Sequence, residues 1–307
     1  MQNTAQKTKI DVYQMITDRV IEFLKQDLAP WRKPWRSVQG TLIAPKNGIS
    51  GKNYRGINAF LLNCLPYEDP YYLTFKQVQQ LGGRIQKGQK GFPVIFYKLT
   101  EIKESKEEQG KKVLEVREIP LIRYHIVFNV EQCEGITLFA SEAPQEEEEK
   151  ELSPIQACEN IIFEMPNPPE IINKPSNRAY YQPSADRIVM PERKQFESSE
   201  EYYATLFHEL GHSTGHPSRL NRKDLVESTG FGSEPYSREE LTAEMIAGFL
   251  CGFAGIEPST LENSAAYIQS WIARLQDDKK LVIEAASRAQ KACDYILDRE
   301  SEEPIAS

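Results

Sequence analysis

The sequence predicts an α+β protein of two domains, with an α+β N-terminal half and a mainly helical C-terminal half. Apolar residues in the first half alternate between helical spacing and short strand-like runs, whereas helical spacing dominates the second. Charge divides the same way. In residues 1–135, 21 Lys and Arg stand against 14 Asp and Glu, a balance of +7; the rest holds 16 against 31, a balance of −15. Between the halves runs SEAPQEEEEKE, residues 141–151, whose like charges repel and pack poorly. We expect domains at 1–140 and 153–307, joined by an acidic linker at 141–152.

In residues 10–28, Val12, Ile16, Val20, Phe23 and Leu24 share one face of a helix that Pro30 stops. Gly48, Gly51 and Gly56 mark a loop before a helix at Ile57–Cys64, and Thr74–Leu81 reads as another. A Gly- and Lys-rich turn enters a strand at Val94–Leu99. Residues 101–112 read as an exposed hairpin loop, followed by strands at Val113–Glu118 and Ile122–Asn129. The second half opens with a helix near Ile155–Glu164, a Pro-rich stretch at Met165–Pro175, and a hairpin or edge strand in Ala179–Pro191. Helices follow at Ser199–Gly215, capped by Ser198 or Ser199, at Ser237–Phe253, capped by Ser237, and at Asn263–Leu275 and Leu281–Leu297.

Hydrophobic residues are 40% and charged residues 27%, the balance of a globular chain. No apolar run approaches the roughly 20 residues that span a bilayer, so no membrane association is expected. Met1–Lys9 is polar and lacks the apolar core of a secretory signal, which points to the cytoplasm. The five cysteines are widely spaced and never form Cys-x-x-Cys, which argues against a disulfide framework or a thiolate metal site.

The centre of the second half is Phe207-His208-Glu209-Leu210-Gly211-His212. Two imidazoles one helical turn apart can reach one ion. Zinc lowers the pKa of bound water towards about 7, and the intervening Glu209 is placed to accept its proton. Zinc also needs a third protein ligand. His216 lies eight residues after His208; a metzincin's third His would fall at Ser218, so that pattern fails at the ligand itself. The alternative is Glu239-Glu240-Leu241-Thr242-Ala243-Glu244, which follows the gluzincin spacing. We assign Glu240 as ligand and Glu244 as the acid that orients a ligand His. The swapped roles stay open, and so does His216 as ligand rather than helix buttress. Tyr180, Tyr181 and Tyr236 are candidates to steady an oxyanion, with packing as the competing role for each. Zinc suits two imidazoles and a carboxylate, with another divalent ion such as Mn2+ as the alternative.

The wider stretch Tyr202–Arg222, with Tyr180-Tyr181-x-Pro183, Asp186-x-Ile188-x-Met190-Pro191 and Phe196 upstream and Glu239-Glu240-Leu241-x-Ala243-Glu244 downstream, resembles the ArdC-type antirestriction proteins of mobile elements. Pro30-Trp31-x-x-Pro34-Trp35, Tyr54–Asn58, Lys87-Gly88-x-Lys90 and Val127-Phe128-Asn129 extend the resemblance over nearly the whole chain. It implies an N-terminal single-stranded-DNA-binding domain and a C-terminal zincin-like metallopeptidase domain. It further implies protection of incoming conjugated DNA from host restriction, with a restriction component as one candidate protein substrate. The acidic insert at Gln145–Glu151 departs from the pattern.

Independently of that likeness, aromatics sit among cations in the first half. Aromatic rings stack on unpaired bases while cations track phosphates. The contacts expected from this are Trp31, Arg32, Lys33, Trp35, Arg36, Lys52, Tyr54, Arg55, Lys87 and Lys90. Two alternatives stand beside this reading: a non-catalytic DNA-binding protein with a structural zinc, and a primase accessory of conjugation.

Overall fold

The computed structural model describes residues 10–33, 36–38, 41–108, 111–138, 153–222, 225, 234–257 and 265–300, with backbone alone for 36–38, 41–43, 97–108, 111–120, 234–236 and 265. The expected acidic linker lies outside the described residues. The first helix, α1 (Val12–Leu24), is capped by Asp11, whose carboxylate accepts the Gln14 N–H at 3.1 Å. Its residues Ile16, Val20 and Leu24, four apart, form the buried stripe that the periodicity predicted. Pro30–Arg32 follows as a single 3-10 turn.

The chain continues through a small hairpin of β1 (Arg36–Val38) and β2 (Thr41–Ile43), then β3 (Lys46–Asn47), α2 (Ile57–Asn63), β4 (Tyr71–Thr74), α3 (Phe75–Gln80), β5 (Arg84–Ile85), β6 (Phe92–Glu108), β7 (Lys111–Asn129) and β8 (Cys133–Glu134). A four-stranded sheet runs β3-β4-β7-β6, with β3 parallel to β4 and the other neighbours antiparallel. A capping box starts α3: the Thr74 hydroxyl accepts the Gln77 N–H, and the Gln77 side chain accepts the Thr74 N–H at 2.8 Å. Residues 101–108 and 111–112 are strand and not the expected loop. β6 and β7 stay paired from Phe92↔Val127 out to Glu108↔Lys111, a long two-stranded ribbon. A mixed charged and polar run is as compatible with a paired strand as with a loop, and composition cannot separate the two.

The second half begins with α4 (Pro154–Glu164), β9 (Glu170–Asn173), β10 (Tyr180–Gln182) and β11 (Arg187–Met190). β11 is central, antiparallel to β10 and parallel to β9. Periodicity missed β9 because it is four residues long and lies among prolines. α5 (Ser199–Ser213), α6 (Glu234–Ala254), α7 (Ala265–Asp277) and α8 (Leu281–Ile296) complete the fold. Ser198 caps α5, its hydroxyl accepting the Glu201 N–H at 3.1 Å. Ser237, expected to cap α6, lies inside it and is buried.

The halves do not have separate cores. One cluster unites Ile16, Val20 and Leu24 of α1, Trp31, and Phe60 of α2 with Met245 and Leu250 of α6 and Ala289 of α8. A smaller cluster of Tyr54, Leu62, Tyr72, Val94 and Val127 lies within the first half. At the junction Arg32 and Glu244 form an ion pair whose side chains are 6% and 5% exposed, with both Arg32 Nη2 contacts to the carboxylate at 3.0 Å. The same carboxylate accepts the Trp31 indole N–H at 3.1 Å and the Tyr267 hydroxyl at 2.5 Å. The 3-10 turn comes so close to α6 that a Cβ at Gly248 would strike the Trp31 carbonyl.

Gly248→Ala therefore forces backbone apart, and overpacking of this kind costs about 1–3 kcal/mol against a helix-propensity gain of about 1 kcal/mol. Urea denaturation should show a net loss of stability; a gain would show that the turn yields freely. Arg32→Met leaves the Glu244 carboxylate buried without its cation, and the same measurement should register a loss of about 3–5 kcal/mol.

Candidate metal centre and nucleic-acid interface

Helices α5 and α6 cross at Gly211, where a Cβ would lie 3.3 Å from the Ala243 Cα and from Ile246. Small residues on both sides let the backbones approach and bring Glu239 and Glu240 up to the two histidines. The His208 and His212 Nε2 atoms are 3.1 Å apart. Glu240 Oε1 is 3.2 Å from His208 Nε2, and Glu240 Oε2 is 3.7 Å from His212 Nε2. One ligand atom from each residue falls within a 4.8 Å cluster, the only such group among the described residues. His208 is pushed up to about 9: burial disfavours its charged form, but the hydrogen bond and charge of Glu240, with the charges of Glu209 and Glu244, outweigh that cost. The site is thus a partly buried, electronegative place that attracts positive charge.

The acid that meets the outer nitrogen of His212 is Glu239, with Oε1 3.3 Å from Nδ1, and not Glu244 as expected. Arg222 secures Glu239, its Nε donating to Oε2 at 2.9 Å and its Nη2 to Oε1 at 2.5 Å. Arg222 Nη2 also donates to the Gly211 carbonyl at 2.8 Å, and Nη1 to Thr214 Oγ1 at 2.5 Å, so one guanidinium ties the helix end to the acid. Burial works against the Glu239 charge, but Arg222 and His212 hold its carboxyl below the usual range. Four-residue spacing pointed to Glu244, whereas the neighbouring Glu239 is turned about 100° from Glu240 and reaches past it to the far side of His212. Arg222 closes the family-like stretch Tyr202–Arg222, but no local spacing marked it as the partner of Glu239.

Glu209 is 8% exposed, and its Oε2 accepts the Tyr181 backbone N–H of the edge strand β10 at 2.7 Å. The Tyr181 hydroxyl turns away from the histidines to donate to Asp186 Oδ1 at 2.8 Å, and Arg219 pairs with the same carboxylate. Tyr180 is exposed, and the Tyr236 side chain lies outside the described residues. His216 stands outside the cluster, its Nδ1 2.7 Å from Ser218 Oγ.

The residues expected to meet DNA divide sharply. Trp31 is 1% exposed and packs edge-on against Trp271, so its ring is not offered to a base. Arg32 is consumed by Glu244. Tyr54 is buried against Tyr72, and Arg55 pairs with Asp294. These four are corrections: Gly and Pro around them mark tight packing turns, not open loops. Lys52, Lys87 and Lys90 are exposed and Lys33 is half-buried. Trp35 and the Arg36 side chain lie outside the described residues.

Residues 165–288 match the family described as "Zincin-like metallopeptidase", and residues 10–128 match the "N-terminal domain of anti-restriction factor ArdC". Among solved structures, the chain is similar to the antirestriction ArdC protein from the R388 plasmid. Its metal-free structure gives 34% identity, coverage of 94% of this chain and 97% of that one, and a TM-score of 0.68. Its Mn(II)-bound structure gives a TM-score of 0.69 at 34% identity, covering 94% of this chain and 98% of that one. A protein named DNA primase TraC, from Escherichia coli, is 37% identical over 302 residues, 95% of this chain; the chain spans only 27% of its length. The uncharacterized protein y4eC from Sinorhizobium fredii (strain NBRC 101917 / NGR234) is 31% identical over 305 residues, covering 96% of this chain and 94% of that protein.

Arg222→Met should weaken divalent-metal affinity by about 10–100-fold in a chelator competition, since outer partners of ligand histidines set their orientation. Unchanged affinity would remove Arg222 and Glu239 from the metal centre. Because the Glu239 carboxyl is depressed in the folded state, its stabilisation is complete above the unfolded value of about 4.3 and is lost as pH falls through the folded value. Denaturation at pH 7, 5 and 3 should show that loss in the parent and a smaller one in Glu239→Gln.

Proposed function

The chain belongs to the ArdC family of antirestriction proteins, and on that premise we propose that it binds single-stranded DNA and carries a divalent-metal peptidase centre. The observation that carries the second part is the convergence of His208, His212 and Glu240. Two imidazole nitrogens and a carboxylate, turned towards one another within the field of Glu209 and Glu244, fit a divalent cation. Zinc is the ion of choice for that donor set, with Mn2+ as the alternative.

His208, His212 and Glu240 would hold the cation, which would supply an acidified water and a polarised carbonyl. Glu209 takes the proton from water and returns it to the leaving amine. The Tyr181 N–H holds the Glu209 carboxylate in place for both transfers. Arg222 and Glu239 fix the His212 ring, Glu239 accepting from its Nδ1–H and leaving the unprotonated Nε2 lone pair for a cation. The polypeptide substrate is unidentified, and a host restriction component is the candidate we favour, met in the cytoplasm beside incoming DNA. Among the described residues no helix is long and apolar enough to cross a membrane.

For DNA, the support is the +7 balance of residues 1–135 and the exposed Lys52, Lys87 and Lys90. We place this activity in residues 1–140 and the metal centre in 153–307, with 141–152 as the linker between them.

Glu209→Ala should abolish proteolysis of a general substrate such as casein while bound zinc, measured by elemental analysis, stays at one per chain. Antirestriction that survives in this variant, together with unfolding of the second half in His208→Ala, would favour a structural ion instead. Fluorescence anisotropy should show tighter binding to single than to double strands, weakening steeply with salt as counterions are released.

A further inference from the structure

Trp31 and Tyr54, expected to stack on bases, are buried, so a single strand needs another aromatic surface among the described residues. Among the described residues of the first half, Phe75 is the exposed aromatic, at 55%. It follows Thr74, which pairs with Val127, so the antiparallel register puts Phe75 beside Ile126, itself 40% exposed. On the other side of β4 lies the turn carrying Ile49, 50% exposed. Asn47 Nδ2 donates to Gln77 Oε1 at 3.4 Å and ties that turn to α3. Three apolar side chains thus line one end of the sheet in water, where burial would be the default.

Cations frame this ridge. Lys76 follows Phe75, and Lys52 follows the Ile49 turn; both are exposed. The turn ending in the exposed Lys90 is drawn in by Gly91, whose Cβ, if present, would strike Ile126 and Phe128. Only glycine lets that basic turn lie on the ridge. Between Leu28 and Thr100 the only acids are Glu68 and Asp69, far outnumbered by Lys and Arg, so that stretch is strongly cationic.

We propose that Phe75, with Ile126 and Ile49, is the platform on which unpaired bases stack, and that Lys52, Lys76 and Lys90 carry the phosphates past it. Resting on the DNA-binding reading above, this relocates the contact from the Trp31–Arg55 segments to the end of the sheet. Charge complementarity favours a polyanion, and open apolar faces favour single strands, whose bases are free to stack.

The test is fluorescence anisotropy of the full chain with a labelled oligo-dT. Phe75→Ala should weaken binding by about 10–100-fold, while Phe75→Trp stays within about threefold of the parent. Phe163→Ala, at a residue 88% exposed on α4, serves as the control and should change nothing. Lys76→Ala with Lys90→Ala should lower the slope of log affinity against log salt by roughly 0.7 per lysine. Parent-like affinity in Phe75→Ala overturns the platform while leaving single-strand binding intact. No binding by the parent chain, or tighter binding to duplex, overturns both.

Discussion

The candidate metal centre depends on how closely two helices can approach. Gly211, inside the histidine motif, and Ala243, one turn beyond the acids, face each other where α5 crosses α6. A larger residue at either place moves the carboxylates away from the imidazoles by the width of its side chain. The histidines are set by their own helix, but the third donor and the acid behind His212 come from another, so the crossing decides whether a site exists. Arg222 then fastens the arrangement by bonding both helices, through the Gly211 carbonyl and the Glu239 carboxylate.

Much of this was legible from local pattern. Spacing of four put His208 and His212 on one face, and Glu240 stands where the same reasoning expected it. Helix periodicity located α1, α4, α5 and α8 to within a few residues. Local pattern failed where long-range packing decides. Glu239 and Glu244 are equally acidic on paper, and only the crossing angle says which one meets a histidine. Trp31, Arg32, Tyr54 and Arg55 look like a basic aromatic surface, yet their partners, Trp271, Glu244, Tyr72 and Asp294, are up to 240 residues distant. The ribbon of β6 and β7 was hidden for another reason: a mixed run of charged and polar residues is as compatible with a paired strand as with a loop.

Two mistaken expectations explain one another. Arg32 was expected at the DNA and Glu244 at the metal, and the structure binds them together. Glu244 still bears on the centre, because its charge is felt by His208. Arg32 answers that charge from the other half of the chain. The desolvation cost of such a pair is large, and the indole of Trp31 and the hydroxyl of Tyr267 complete its hydrogen bonds.

The shared core sets a rule for anyone wishing to exchange parts between relatives. A chimera joined at the acidic segment would inherit Trp31 and Arg32 from one parent and their receptacle on α6 from the other. The natural seam of the polypeptide is therefore not a seam of the fold. Heredity must pass the 3-10 turn and the long helix as a single cassette, even though more than 200 residues separate them.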